Sequence, residues 1–273
     1  MRLAVTSDLH YDPRGDLTPP EQVRALARRI ADERPDAVVL AGDLAHGLAA
    51  FDACVACFED VGAPVAVLAG NHDVWRDEET KTGSEALWSR RLREVTQARG
   101  ARWLEDAPLR VGDVAVVGTM AWYDYSAMDP TVRATPEQAE IMKRMFNNDA
   151  AWIDWPWTDR ALARSLGDAM MLRLAAVVAD ETVRAVAVVT HVPVLEAQME
   201  RRSDDSRWGF SNAYFGNLTL GARVMGAAKL RAVVSGHTHA ARRATLAAVD
   251  GGAVDVRVIG SDYGAPAYVI VEV

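Results

Sequence analysis

Five short apolar runs in this chain are each followed by residues that can bind a metal ion or a phosphate. A short apolar run is typical of a buried strand, and polar residues directly after it are typical of the carboxyl end of an α/β sheet, where such folds keep their ligand sites. Two carboxylates, one amide and five imidazoles follow the five predicted strands: Asp8 and His10 after 3–5, Asp43 after 37–40, Asn71 and His72 after 65–68, His191 after 186–189, and His237 and His239 after 232–234.

The histidines are concentrated at these positions. The chain has six histidines, and five of them lie just past one of the predicted strands. A single loop histidine is most simply explained as a side chain bonded to a neighbouring carbonyl. The common placement of five indicates a shared site.

Predicted helices separate most of these strands. Strand–helix alternation predicts βαβ units with largely parallel pairing, and therefore an α/β fold. The predicted helices are 19–33, with Thr18 as its cap and Pro19 at its first position, then 48–59, 84–99 and 159–180. Hairpins are predicted at 109–117 and 241–259, and a last strand at 267–272.

We expect a single domain over 1–273 with insertions at about 122–157 and 198–218. The first insertion holds four of the eight tryptophans, which suits a lid, a partner surface or a packed insertion; we favour an insertion or lid. Cys54 and Cys57 form the only C-x-x-C pair, and their helical context favours core packing over a redox or metal motif.

The charge and hydropathy of the chain limit the kinds of partner that it is expected to bind. A formal charge of −8 argues against broad binding to nucleic acid or to an anionic membrane. No apolar run approaches the ~18 residues of a membrane span. The N-terminus carries no apolar stretch of the kind a signal peptide needs, so we expect a cytoplasmic protein.

The residue types predict a two-metal site. Carboxylates and imidazoles without thiolates suit Mn²⁺, Fe or Zn²⁺. Since one zinc ion usually takes about four ligands, these strand ends offer too many for one ion. Two divalent ions about 3.5–4 Å apart stabilise both the attacking and the leaving oxygen in phosphoryl transfer. They would also leave a locally positive site inside an acidic protein.

Taken in order, five blocks of this sequence resemble those of the calcineurin-like metallophosphoesterases. The blocks span residues 8 to 239, and each follows an apolar strand: Asp8-Leu-His10, Gly42-Asp43, Gly70-Asn71-His72-Asp73, Thr190-His191 and Gly236-His237-Thr-His239.

The resemblance implies two mixed sheets packed as a sandwich flanked by helices. It also implies a hydrolase in which a metal-bridging hydroxide attacks phosphorus in line, while His72 steadies the phosphate and helps to protonate the leaving oxygen. The metal ligands that it implies are Asp8, His10 and His239 for one ion, Asn71, His191 and His237 for the other, and Asp43 for both.

One block departs from the protein serine/threonine phosphatase branch, which continues as Gly-Asp-x-Val-Asp-Arg-Gly. This chain has His46 where that branch has the aspartate paired to its catalytic histidine. The departure weakens protein phosphatase activity as the function. His46 contacts substrate or caps its loop, and for Asp73 we favour a structural role over orienting His72.

The leading hypothesis is therefore hydrolysis of a small phosphodiester or related phosphorylated molecule. The alternatives are a nuclease of the same fold and a non-catalytic scaffold that has kept the fold. We also expect the segments 122–157 and 198–218 to border the site and select the substrate, with Arg207 and Tyr214 as contacts. The alternative is that their aromatic residues only pack the segments onto the domain.

Overall fold

The computed structural model describes residues 1–202 and 204–273, and its centre is a pair of β-sheets. The first sheet has the strand order β11-β1-β2-β3-β4 and the second has β5-β6-β7-β8-β10-β9. The strands are β1 (Arg2–Thr6), β2 (Ala37–Ala41), β3 (Val65–Leu68), β4 (Arg102–Trp103), β5 (Leu109–Val111), β6 (Val114–Thr119), β7 (Ala185–Thr190), β8 (Leu230–Ser235), β9 (Arg242–Ala247), β10 (Ala253–Val258) and β11 (Tyr268–Glu272).

Most neighbouring strands are parallel, as the alternation predicts. β1 to β4 run parallel in the first sheet, and β6, β7, β8 and β10 run parallel in the second. The antiparallel strands β11, β5 and β9 lie at sheet edges. The fold is thus two mixed sheets with flanking helices, which confirms the expected class.

Helices connect the strands and cover the outer faces. They are α1 (Pro20–Asp32), α2 (Leu48–Ala56), α3 (Ser84–Ala86), α4 (Leu92–Ala98), α5 (Pro136–Phe146), α6 (Asp149–Trp152), α7 (Asp159–Ala179), α8 (Ser206–Ser211) and α9 (Leu218–Val224). A π-helical turn at Leu87–Arg91 joins α3 to α4, and 3₁₀ turns occur at His72–Val74, Glu196–Gln198 and Asn212–Tyr214.

The parallel strands are buried on both faces. In β1, Leu3 and Val5 pack between the two sheets, whereas Ala4 packs against the helical layer. β2 divides in the same way, with Val39 between the sheets and Val38 towards the helices. Burial on both sides explains why these strands are continuous apolar runs without alternation.

The predicted cap of the first helix is wrong. The helix begins at Pro20 and Pro19 is its N-cap residue, with no side-chain cap. Thr18 is buried, and its hydroxyl accepts a hydrogen bond from the amide of Gly264, 3.1 Å away. A long-range partner has therefore replaced the local capping bond.

The two segments predicted as insertions are partly helical. Residues 122–157 contain α5 and α6, and residues 198–218 contain α8 and the turn Asn212–Tyr214. Cys54 is buried and Cys57 half-buried, and both are free thiols, in line with core packing.

Across residues 1–202 and 204–273, no helix is long and apolar enough to cross a membrane.

Candidate metal centre

The predicted side chains meet where five parallel strands end. Asp8 follows β1, Asp43 follows β2 and Asn71 follows β3 in one sheet, while His191 follows β7 and His237 follows β8 in the other. Because both sheets end at this edge, residues from positions 8 to 239 lie within one small volume.

The backbone at these strand ends has an unusual conformation. Five of the predicted ligands have a positive φ, in the left-handed region that L-residues seldom adopt. The φ angles are 53° at Asp8, 43° at His10, 52° at Asp43, 72° at His237 and 56° at His239. Such clusters of strained residues are characteristic of functional sites. Here the sharp turns aim the side chains across the sheet edge.

One group consists of Asn71, His191 and His237 beside Asp43. The Oδ1 atom of Asn71 lies 3.0 Å from Nε2 of His191 and 3.0 Å from Nδ1 of His237. These two imidazole nitrogens are 3.2 Å apart, and Oδ1 of Asp43 lies 3.4 Å from Nε2 of His191.

The outer contacts of this group fix which atoms point inward. Nδ1 of His191 lies 3.0 Å from the Ala41 carbonyl, and Nε2 of His237 lies 3.0 Å from the Tyr214 carbonyl. Since a carbonyl only accepts, each of these nitrogens is a donor. The opposite nitrogens face Asn71 Oδ1 and are the atoms that could bind a metal.

The second group consists of Asp8, His10 and His239. The Nε2 atoms of His10 and His239 are 3.4 Å apart, and Oδ1 of Asp8 lies 3.7 Å from the His239 Nε2 atom. Oδ2 of Asp43 is 3.9 Å from Nε2 of His10. Asp43 therefore directs one oxygen towards each group, the arrangement that a shared ligand requires.

The backbone also contributes to holding the carboxylates. Both oxygens of Asp8 accept hydrogen bonds from the amide of His237 at 2.9 Å, so β1 and β8 are tied together at the site. Oδ1 of Asp43 accepts the His72 amide at 2.8 Å.

The charge state of the site suits a cation. Burial lowers the pKa of His10 to about 4, and burial together with His191 lowers the pKa of His237 to about 4, so both imidazoles are neutral at pH 7. Burial would also lower the pKa of His191, but the Asp43 carboxylate outweighs it and raises that pKa to about 9. Burial opposes ionisation of Asp43, yet the imidazole of His191 holds its pKa well below the usual range.

The donor atoms fit a metal. Asn71 Oδ1, His237 Nδ1 and Asp43 Oδ1 surround Nε2 of His191, whose raised pKa favours a proton there in the metal-free protein. A divalent ion bound among these atoms would take the place of that proton. Imidazole, carboxylate and amide oxygen donors suit Mn²⁺, Fe and Zn²⁺.

His72 occupies a different position from the other histidines. It lies at the edge of the centre with its side chain 23% exposed, and its Nε2 atom is 3.9 Å from Oδ2 of Asp43. Its ring stacks on Trp75, with centroids 3.8 Å apart and an interplanar angle of 27°. His72 thus faces a cleft above the two groups.

The cleft has a volume of about 230 Å³. Several of the residues that line it were not predicted from the sequence. Trp75, Phe146, Asp149, Phe215 and Tyr263 line it beside the predicted ligands. Phe146 and Asp149 come from the segment 122–157 and Phe215 from 198–218, so both segments border the site as expected. Tyr263 comes from the loop before β11, and its ring centroid is 4.7 Å from that of His10.

Tyr214 does not line the cleft, contrary to expectation. It is fully buried, and its hydroxyl donates to the Ala139 carbonyl at 2.8 Å. Its neighbour Phe215, which directly follows the 3₁₀ turn that ends at Tyr214, lines the cleft instead. Arg207 is exposed, with its guanidinium 5.9 Å from the centre of the Phe146 ring.

The structure shows the contacts of His46 and Asp73, the two residues for which the sequence left alternative roles. His46 is exposed, and its ring lies 5.6 Å from Trp75 and 5.2 Å from Trp152. Asp73 is buried and accepts the amides of Gly70, Leu44 and Ala45 at 2.7, 2.8 and 3.0 Å. These bonds join the loops after β2 and β3, which supports a structural role for Asp73.

Comparison with known proteins agrees with this architecture. The crystal structure of phosphopantetheinyl hydrolase (PptH) from Mycobacterium tuberculosis aligns with a TM-score of 0.71 and 19% identity, over 94% of this chain and 89% of that one. A dimetal phosphatase from Danio rerio aligns with a TM-score of 0.53 and 15% identity, over 95% and 87%. At these identities the likeness shows the fold alone. A search of curated proteins finds no match.

The family is shown by a second comparison. The family model for calcineurin-like phosphoesterases matches residues 1–241. This span contains all five strand ends, the seven predicted ligands and His72. This family consists of phosphoester hydrolases that use divalent metals, and the resemblance of the five blocks is confirmed. The chain therefore belongs to the calcineurin-like phosphoesterases.

Proposed function

We propose that the protein is a two-metal phosphoesterase that hydrolyses a small phosphodiester or related phosphorylated substrate. The observation that carries this proposal is the pairing of two ligand groups through Asp43, which directs one oxygen towards each. In this assignment Asp8, His10 and His239 would hold one ion, Asn71, His191 and His237 would hold the other, and Asp43 would contribute to both.

Two bound divalent ions supply the Lewis acidity that activates water and offsets the charge of the phosphoryl group. The protein supplies fixed ligand directions. The carbonyls of Ala41 and Tyr214 hold the imidazoles of His191 and His237 in the tautomer that a metal needs.

His72 is proposed as the group that contacts the substrate. It lines the cleft and is partly exposed. The hydrogen bond from its backbone amide to Asp43 and the stacking of the Trp75 ring on its face hold it in place. From this position it stabilises the phosphate and donates a proton to the leaving oxygen.

The shape of the cleft supports a small substrate. A volume of about 230 Å³ accommodates a phosphoryl group and a modest part of its substituent. Phe146 and Phe215 offer apolar surface next to the metal ligands. The charge of −8 disfavours a nucleic acid, which would need basic residues along its backbone path.

The relative from M. tuberculosis suggests one substrate class to include among those tested. That protein is named a phosphopantetheinyl hydrolase. A phosphopantetheinyl compound would place a phosphoryl group at the metals and an elongated chain between the walls formed by Phe146 and Phe215.

The test is a substrate screen on protein of known metal content. With Mn²⁺ added, we expect hydrolysis of bis(nitrophenyl) phosphate and of at least one small phosphodiester, and loss of both activities after chelation. The panel includes phosphomonoesters, cyclic nucleotides, a phosphopantetheinyl compound and single-stranded DNA. Two bound ions without hydrolysis of any substrate would indicate a scaffold, and preference for the DNA would indicate a nuclease.

A further inference from the structure

We propose that Asp149 is a positioning residue that fixes the orientation of the Asn71 amide and thereby sets the affinity of one metal. The inference rests on the proposed role of Asn71 as a ligand. Asp149 lies in the segment 122–157, outside the five sequence blocks, and is buried with 1% of its surface exposed.

The argument begins with the two ends of the Asn71 side chain. Its Nδ2 atom donates to Oδ1 of Asp149 at 2.9 Å, while its Oδ1 atom lies 3.0 Å from both His191 Nε2 and His237 Nδ1. A primary amide has one donor end and one acceptor end, whereas an ionised carboxylate only accepts. Asp149 therefore forces the oxygen of Asn71 towards the imidazoles.

The opposite orientation would be unfavourable at both ends. A rotated amide would bring its oxygen against the Asp149 carboxylate and its NH₂ group against the metal position. An NH₂ group has no lone pair to offer a metal. Without Asp149, the chain contains no other contact to Asn71 Nδ2 among the hydrogen bonds of the described residues to prevent that rotation.

Asp149 is itself held rigidly. Trp75 Nε1 donates to its Oδ1 atom at 2.7 Å, and the Tyr123 hydroxyl donates to its Oδ2 atom at 2.8 Å. Its own amide donates to Oδ1 of Asn147 at 2.7 Å. A buried carboxylate held by two other side-chain donors can keep the Asn71 amide in one orientation.

The charge of Asp149 points to the same role. Among the described residues it has no ion pair with a lysine, arginine or histidine, and Lys143, from the same segment, pairs with Asp159. A buried carboxylate without an opposite charge is costly. A divalent ion bound by Asn71 would supply that charge, as in other sites where a carboxylate stands behind a metal ligand.

The same carboxylate oxygen connects to His72. Oδ1 of Asp149 accepts from Trp75, whose ring stacks on His72. The segment 122–157 therefore reaches both the predicted ligand Asn71 and the predicted proton donor through one residue.

The test measures metal affinity in the full-length protein. Metal-stripped wild type and Asp149→Ala are titrated with Mn²⁺ in competition with a chelator; alanine is used because an asparagine oxygen could still accept from Asn71. We expect one of the two ions to bind about 10–100-fold more weakly in Asp149→Ala, the usual effect of losing such a partner, and the other to be unaffected. Unchanged affinity for both ions would overturn the inference.

Tyr123→Phe is the matched control. It removes a hydrogen bond from the same buried carboxylate but leaves the bond between Asn71 and Asp149 intact. We expect this variant to bind both ions like the wild type. If it lost the same ion to the same extent, general damage to the buried network would explain the result, and the inference would fail.

A double variant separates the inference from the ligand assignment. If Asp149 acts through Asn71, then Asn71→Ala weakens the binding of the same ion, and adding Asp149→Ala has no further effect. Losses of affinity that multiply in the double variant would show that Asp149 acts independently, which contradicts the inference. Normal binding of both ions in Asn71→Ala would refute the ligand assignment and the inference with it. If Asp149→Ala does not fold, Asp149→Ser is used with the same expectations.

Discussion

Replacing Gly70 by alanine should disable the metal centre by displacing Asp43. Gly70 lies between β3 and Asn71, and its φ is compatible with alanine, so the added methyl group is the whole perturbation. A Cβ atom there would lie 2.2 Å from Oδ1 of Asp43, 2.4 Å from its backbone nitrogen and 2.7 Å from Cε1 of His191.

The size of the effect follows from these distances. Ordinary contact begins at about 3.4 Å, so the Asp43 oxygen would have to retreat by about 1.2 Å. Metal–ligand distances tolerate about 0.2 Å, and Asp43 is the ligand proposed to serve both ions. Overpacking of this kind costs about 1–3 kcal/mol, which for a domain of this size lowers the Tm by roughly 2–12 °C.

Three measurements test this reasoning. We expect Gly70→Ala to show a lower Tm without metal, fewer than two ions after dialysis against Mn²⁺, and no hydrolysis of bis(nitrophenyl) phosphate. Gly209→Ala is the control, because its Cβ would meet Asp129 and Val132 at 3.0 Å, away from the ligands. It should lose stability but retain both ions. Full metal content and activity in Gly70→Ala would refute the proposed geometry.

Other substitutions test the remaining assignments. Asp43→Asn should lose more metal and activity than Asp8→Asn, and two tightly bound ions in Asp43→Asn would contradict the shared ligand. His72→Ala should keep both ions but lose roughly 10²–10⁴-fold in rate, with a smaller loss for a nitrophenolate leaving group; equal losses for alkyl and nitrophenyl esters would exclude proton donation. Phe215→Ala should raise KM for the preferred substrate, as it lines the cleft, whereas Tyr214→Phe should leave KM unchanged and cost about 1 kcal/mol of stability. A change of KM in Tyr214→Phe would place that residue in the substrate path.

The convergence of the polar side chains was predictable from the sequence for a simple physical reason. Parallel strands of a sheet end at the same edge, so residues that follow them in sequence meet in space. Local pattern therefore located Asp8, Asp43 and Asn71 correctly relative to one another. It also predicted every strand except β4, because apolar runs buried on both faces are easily recognised, but it missed the helices α5, α6, α8 and α9.

The remaining parts of the site depend on long-range contacts that leave no local pattern. Asp149 reaches Asn71 across 78 positions, from a segment without regular alternation. Thr18 follows a local capping rule in sequence, yet a bond to Gly264 determines its conformation. Tyr214 and Phe215 are adjacent aromatic residues, yet Tyr214 is buried with its hydroxyl bonded to the distant Ala139 carbonyl, while Phe215 lines the cleft.

The left-handed backbone at the strand ends also bears on how such a centre could change during evolution. Aspartate, asparagine and histidine are the side-chain-bearing residues that adopt this conformation most readily. Exchanges among these three at Asp8, His10, Asp43, His237 or His239 would alter the donor atoms while the turns keep their shape. Metal binding and folding are therefore separable here: a substitution can change the donor atoms, and with them the metal bound and the activity, while the loops keep their conformation.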